Sequence, residues 1–295
     1  MRASEDMIRQ DLSCPAFANT GDRLGDLKSY EDQSTMEWKN PGLGAMKVQV
    51  YPTAKAAGQA AAESVAAALR GLGAERKLVG IIFATGTSQF ETLHALTSIS
   101  NLPWEKVHGF HMDEHIGIDE NHPASFRRYL RERLTSRVSM ATFHEMDGSA
   151  SDLEKVRREY MEKLSAADPQ ICLLGIGENG HLAFNDPHEA DFDDAEPMKI
   201  VTLDQACREQ QLAEGWFPSF DQVPKQALTL TIPTLLKVPK LVVSVPGKRK
   251  AASVRRTLRD PISVHCPATI LRTHPDVTLC LDEETASELD CAGTP

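Results

Sequence analysis

The stretch that decides the fold is ICLLGIGENGHLAFNDP, residues 171–187. It opens with a short apolar run, the pattern of a strand buried on both faces. Gly175, Gly177 and Gly180 then spell a literal GxGxxG. After a strand, that spelling raises a dinucleotide-binding turn, which needs a helix to begin within the glycines. The continuation, HLAFNDPHEADFDDAEP, carries Pro187 and Pro197, many acids and no helical periodicity. It reads as a loop, and the dinucleotide reading fails on that context. His181 and Asp186 lie close together on it and suit acid–base chemistry better than cofactor binding.

Similar apolar runs recur on both sides: KVQVY (47–51), LVGIIFA (78–84), VHGFHM (107–112), KIVTL (199–203), ALTLTI (227–232), LVVSV (241–245) and VTLCLD (277–282). Helical stretches separate them. Thr53 can cap an Ala-rich helix running through Leu69. A second helix covers 89–98. Pro123 opens a third, with Phe126, Tyr129, Leu130 and Leu134 on one face. Ser151 and Glu154 form a capping box for a helix ending near Ala167. Further helices cover 204–213 and 248–259. Strands alternating with helices predict an α/β fold, a doubly wound, mainly parallel sheet in a Rossmann-like three-layer α/β/α sandwich. No internal repeat or low-complexity linker divides residues 47–290, and residues 47–295 are expected to form a single domain. Residues 1–46 are polar and poorly periodic, and read as an N-terminal extension.

In such sheets ligands bind beyond the carboxyl ends of the strands. LVGIIFA is followed by Thr85-Gly86-Thr87-Ser88 just before a helix. This is either a phosphate cradle at a helix N-terminus or an ordinary capping turn. VHGFHM ends in Asp113-Glu114-His115, where Asp113 is either a catalytic base or a turn aspartate. His108, His111 and His115 raise a metal reading. Strand alternation puts His108 on the face opposite His111, Asp113 and His115, so a compact site could use only part of the cluster. LVVSV ends in Pro246-Gly247-Lys248-Arg249-Lys250, either a second phosphate contact or a solvated basic turn. One acid, one histidine and two anion-suited loops on the same sheet edge form a coherent catalytic set.

Composition sets the outer limits. Of 295 residues, 32 are Lys or Arg and 42 are Asp or Glu, a net charge of −10. That balance argues against a nucleic-acid binder and against attachment to an anionic membrane. It does not exclude a small anionic ligand. No run approaches the length of a membrane span, and MRASEDMIRQDLS lacks the apolar segment of a signal peptide. The 6 cysteines form no CxxC pair. A cytoplasmic enzyme with scattered thiols is expected.

Five segments together resemble the glucosamine-6-phosphate deaminase/isomerase family, which shares its fold with the 6-phosphogluconolactonases. They are ATGTSQFETLHAL (84–96), FHMDEHIGIDENHPASF (110–126), LLGIGENGHLAFNDP (173–187), QVPKQALTLTIPTLL (222–236) and VPGKRKA (245–251). The similarity runs from about Lys47 to Leu289. The lactonases share GxGxxGHxA but not the AFNxP and MDE segments in this form, which favours the deaminase branch. The resemblance implies an enzyme that opens the ring of an amino-sugar phosphate, moves a proton between carbons 2 and 1, and releases ammonia. It implies no metal or organic cofactor.

Carried over residue by residue, Asp113 is the base at carbon 2 and His181 the ring-opening acid/base. Asp186 takes the place of the carboxylate, usually glutamate, that orients the histidine. Thr85, Gly86, Thr87, Ser88 and Lys250 hold the phosphate, and Lys199 stands where the family commonly has a phosphate-binding arginine. Asn179 occupies a position that is aspartate in glucosamine-6-phosphate deaminases and asparagine in some galactosamine-6-phosphate isomerase-like relatives. Thr87 replaces a common glycine and Gln89 a common proline. The expected substrate is glucosamine 6-phosphate. The alternatives are galactosamine-6-phosphate isomerisation, 6-phosphogluconolactonase-like hydrolysis and a sugar-phosphate sensor. The expected partner is the small-molecule amino-sugar phosphate, with no nucleic acid and no membrane, in a chain free to form a homo-oligomer.

Overall fold

The computed structural model describes residues 36–38 and 43–289. Most of the apolar runs fold as strands within a residue or two of where the sequence places them. In chain order the strands are β1 (Met36–Trp38), β2 (Lys47–Tyr51), β3 (Val79–Phe83), β4 (Val107–His111), β5 (Asp113–His115), β6 (Thr142–His144), β7 (Pro169–Leu174), β8 (Met198–Thr202), β9 (Gln226–Leu230), β10 (Lys240–Val245) and β11 (Val277–Asp282). The helices are α1 (Ala54–Glu75), α2 (Phe90–Ser98), α3 (Phe126–Leu130), α4 (Leu153–Ala167), α5 (Gln205–Ala213), α6 (Ile232–Leu236) and α7 (Ala251–Arg259).

The main sheet runs β1-β2-β11-β10-β7-β3-β4-β6. Every neighbouring pair in it is parallel except β1–β2. Its central strands are mostly apolar because helices cover both faces. Alternation along β3 shows this. Ile81 and Phe83 join α1 and α2 in one core, while Ile82 faces the other core with Leu164 of α4 and Val254 of α7. From β3 the chain moves outward to β4 and β6. From β7 it moves the other way, to β10 and β11. The β3–β7 border is therefore the switch point of the sheet, where such folds open a ligand crevice.

Several expectations need correction. KIVTL and ALTLTI do not enter the parallel sheet. As β8 and β9 they form a separate antiparallel sheet, β5-β9-β8. Its third strand is the Asp113–His115 segment, read from the sequence as the end of the preceding strand. Within the 1–46 segment read as an extension, β1 pairs with β2, and Leu43 and Met46 are buried in the core. Residues 1–35 lie outside the described residues. The helix expected from Pro123 begins at Phe126 behind Ser125, whose side chain accepts from the Arg128 N–H, and it continues as a π-helical turn over Arg131–Thr135. Asp152, not Ser151, caps α4 by accepting from the Lys155 N–H. Thr53 caps α1 as expected, accepting from the Ala56 N–H at 3.1 Å. Among the described residues, no helix is long and apolar enough to cross a membrane.

Candidate active site

Beyond the carboxyl ends of β3, β7 and β10 lies a cleft of about 600 Å³, counting its open mouth. Thr85, Gly86, Thr87, Ser88, Asp113, His181 and Lys250 all line it. The four strand ends singled out in the sequence therefore converge.

The 85–88 loop turns at Gly86, whose φ of +88° suits glycine. A short 3₁₀ turn over Thr87–Gln89 then feeds α2. Gln89 is fully buried, and its Nε2 donates to Ser88 Oγ (3.2 Å) and to the carbonyls of Leu174 (3.3 Å) and Ser244 (3.3 Å). One amide thus ties the phosphate-type loop to the ends of β7 and β10. Tyr129 OH donates to the Gly86 carbonyl at 2.8 Å and fixes the loop from the other side. Lys250 ends the turn after β10. That turn is held by Asp282, whose two carboxylate oxygens accept from Gly247 N at 3.1 and 3.0 Å. Burial pulls the Lys250 ammonium down from its ordinary range, opposed by the carboxylates of Glu214 and Glu178.

Asp113 and Glu114 are adjacent carboxylates with opposite surroundings, because successive side chains of a strand point to opposite faces. Glu114 is fully buried and accepts from five donors: the backbone N–H groups of His115, Phe126 and Arg127, the Ser125 hydroxyl and Arg127 Nε, at 3.0–3.2 Å. It thereby satisfies the first N–H groups of α3. Asp113 faces the cleft, only 6% exposed, and its Oδ1 has no hydrogen-bond partner. Burial, with Glu114 adding, pushes the Asp113 carboxyl well above the usual carboxylate range. A buried carboxyl without a partner on Oδ1, raised above the ordinary carboxylate range, has the properties of a general base.

No helix follows the glycines of the 171–187 stretch among the described residues. Gly177 instead makes room for His181: a Cβ at 177 would sit 2.2 Å from the imidazole Cε1. His181 Nδ1 lies 2.9 Å from Asp186 Oδ1, although the ring N–H is not aligned on that oxygen as a hydrogen bond. Burial would raise the Asp186 carboxyl, but His181 and the Asn179 amide hold it below the ordinary aspartate range. Asn179 is hydrogen-bonded to the backbone of His181 rather than to its ring. Its Oδ1 accepts from the His181 backbone N–H at 3.0 Å, and its Nδ2 donates to Asp186 Oδ1 at 2.9 Å and to Asp204 Oδ2 at 3.3 Å.

The structure does not bring Lys199 to the cleft. It lies on β8 in the second sheet, 2.8 Å from Asp194 Oδ2, and donates to the Glu189 carbonyl. The move of β8 out of the parallel sheet is what takes it away. The three histidines weighed as a metal cluster are also separated. His111 donates from Nδ1 to the Asp113 carbonyl (2.8 Å) and accepts at Nε2 from Met146 N (2.7 Å). His115 is enclosed by the rings of Phe126, Phe184 and Phe217. His108 packs on His144. Burial lowers both His111 and His115 to about 3.

Sequence reasoning missed one wall of the cleft, made by Gln210, Gln211 and Glu214 at the end of α5. Glu214 accepts from Gln210 Nε2 at 2.8 Å and from Trp216 Nε1 at 3.0 Å. The 210/214 spacing, i and i+4, was visible, but a polar helix face reads equally well as solvated.

A switch-point cleft with a buried carboxyl, a histidine–carboxylate pair and a cationic loop is the arrangement of an enzyme of the α/β sandwich class. The chain belongs to the family described as glucosamine-6-phosphate isomerases/6-phosphogluconolactonase, whose model matches residues 52–280. It is 32% identical over 254 residues to a glucosamine-6-phosphate deaminase of Arthrobacter sp. (strain FB24), covering 84% of this chain and 94% of that one. It is 36% identical over 206 residues to glucosamine-6-phosphate deaminase 1 of Bacillus subtilis (strain 168), covering 69% and 83%. Among solved structures, one described as a monomeric glucosamine-6-phosphate deaminase superposes with a TM-score of 0.75 at 32% identity, covering 82% of this chain and 99% of that one. A 6-phosphogluconolactonase from Thermotoga maritima, 19% identical with a TM-score of 0.65 over 80% of this chain and 99% of its own, shares the fold.

Proposed function

We propose that the protein is an amino-sugar-phosphate deaminase/isomerase that converts glucosamine 6-phosphate and water to fructose 6-phosphate and ammonia. The observation that carries this reading is Asp113: a buried carboxylate whose Oδ1 lacks a partner, facing the same cleft as His181 and the 85–88 loop. The phosphate sits on Thr85–Ser88 and against Lys250, which fixes the sugar for proton transfer. His181 delivers a proton to the ring oxygen, with Asp186 beside Nδ1 stabilising the imidazolium form. Asp113 Oδ1 takes the proton from carbon 2 and returns it to carbon 1. Water then displaces ammonia at carbon 2. Lys199, paired with Asp194, has no part in phosphate binding in this scheme. The buried free thiols Cys172, Cys207, Cys266 and Cys280 suit a cytoplasmic setting.

The test is ammonia release from glucosamine 6-phosphate and galactosamine 6-phosphate, run beside hydrolysis of 6-phosphogluconolactone. Release from glucosamine 6-phosphate, with no lactone hydrolysis, is expected. Lactone hydrolysis without ammonia release overturns the reading.

A further inference from the structure

One imidazole nitrogen of His181, one carboxylate oxygen of Asp186 and the sulfur of Cys207 lie within 4.8 Å of one another. We propose that these three side chains form a binding site for a zinc-like divalent cation, and that its occupation silences His181. Metal binding here stands independently of the proposed reaction; only the inhibition rests on it.

The donor set is the first argument. Nitrogen, oxygen and sulfur together suit zinc and its softer neighbours, whereas magnesium and calcium prefer oxygen alone. Geometry is the second. Ligand atoms around tetrahedral zinc stand about 3.3–3.7 Å apart, given metal–ligand bonds of about 2.0–2.3 Å. His181 Nδ1 and Asp186 Oδ1 are already 2.9 Å apart, and no separation in the group exceeds 4.8 Å. Small side-chain shifts therefore close the triangle on a metal.

An unsatisfied atom is the third. Asp186 is fully buried, yet its Oδ2 has no hydrogen-bond partner. Buried polar atoms in native structures nearly always find partners, so this oxygen is available as a ligand atom. The fourth is rigidity. Cys207 lies in the first turn of α5, where Asp204 accepts from its N–H at 2.6 Å. Asn179 bonds both Asp204 and Asp186 and so ties the thiol side of the group to the carboxylate side.

The arrangement also has an entrance. His181 lines the cleft and Cys207 does not. A cation entering from the cleft would take three protein ligands and leave its fourth position to water, the pattern of an open zinc site. On binding, the thiol releases its proton to solvent and a sulfur–metal bond forms. Nδ1 gives up its proton to solvent, or the ring takes the tautomer protonated at Nε2, and the Nδ1 lone pair binds the metal, so His181 can no longer exchange a proton supported by Asp186.

The experiment uses the full chain, freed of metal by chelator. Zinc is titrated by calorimetry, cobalt(II) is substituted for optical spectra, and turnover is followed as zinc is added. One zinc per chain, a near-ultraviolet sulfur-to-cobalt band and zinc inhibition reversed by chelator are expected. Cys207→Ser should lose that band and need at least tenfold more zinc for half inhibition, with Cys266→Ser unaffected as the control. X-ray absorption on the zinc-loaded parent protein gives a check free of any variant, with one sulfur at about 2.3 Å expected. Absence of a sulfur ligand, or equal zinc affinity in Cys207→Ser, overturns the proposal. If ammonia release fails while the cobalt–sulfur band appears, the metal site stands and the reaction assignment falls.

Discussion

The side-chain amide of Asn179 donates to Asp186 Oδ1 at 2.9 Å, and it is Asp186 that meets the imidazole of His181. Position 179 therefore governs the carboxylate rather than the histidine ring. Asn179→Asp would put a third carboxylate against Asp186 and Asp204 and remove the N–H that both accept. Like charges raise carboxyl pKa values and favour the protonated imidazole. The limb of the pH–rate profile that belongs to the His181–Asp186 pair should move to higher pH. A superimposable profile would show that the amide has no electrostatic influence on the pair.

Asp113→Asn should lower turnover by about 10²–10⁴ while leaving substrate binding largely intact. The same change should stabilise the fold. The native carboxyl titrates above its unfolded value, chiefly through burial. Below both values the group costs the fold nothing. As pH rises from the unfolded toward the native value, the unfolded chain ionises first and native stability falls. The melting temperature of Asp113→Asn should therefore exceed the parent's at pH 8 by more than it does at pH 4. For the parent, the acid limb of turnover should lie above the ordinary carboxylate range. An equal melting-temperature difference at the two pH values would remove Asp113 as the strained group.

The two lysines separate the sequence expectation from the structure. Lys250→Ala should raise KM for the phosphorylated sugar roughly 10- to 100-fold, the worth of one charge-assisted contact. Lys199→Ala should leave KM within about twofold, because its ammonium is paired with Asp194 away from the cleft. The reverse ranking would mean that the second sheet moves toward the phosphate on binding.

Glu214 places a carboxylate beside the loop and near Lys250, where it opposes an incoming phosphate. Glu214→Gln keeps the shape and removes the charge. Inhibition by inorganic phosphate should tighten by roughly three- to tenfold. The comparison needs only a phosphate titration at two ionic strengths, with the gain shrinking at the higher one.

Much of the fold was legible because buried parallel strands write themselves as continuous apolar runs, as in VGIIF and ICLL. Asp113, His181 and Lys250 were legible because each follows such a run. What stayed hidden depended on partners. Strands β8 and β9 look like any other apolar run, and only their antiparallel pairing with Asp113–His115 removes them, and Lys199 with them, from the main sheet. The polar wall of α5 stayed hidden because a glutamine facing a cleft and one facing water look alike in one dimension. Cys207 carried no spacing signal, since it lies in α5 while its neighbours His181 and Asp186 lie on the loop after β7.

Glu114 never meets the cleft, yet five donors converge on it beside Asp113. A survey of random variants scored only by growth or activity would mark 114 as harshly as 113. The two losses would have different origins, one chemical and one architectural. Only soluble yield, measured alongside activity, would tell the neighbours apart.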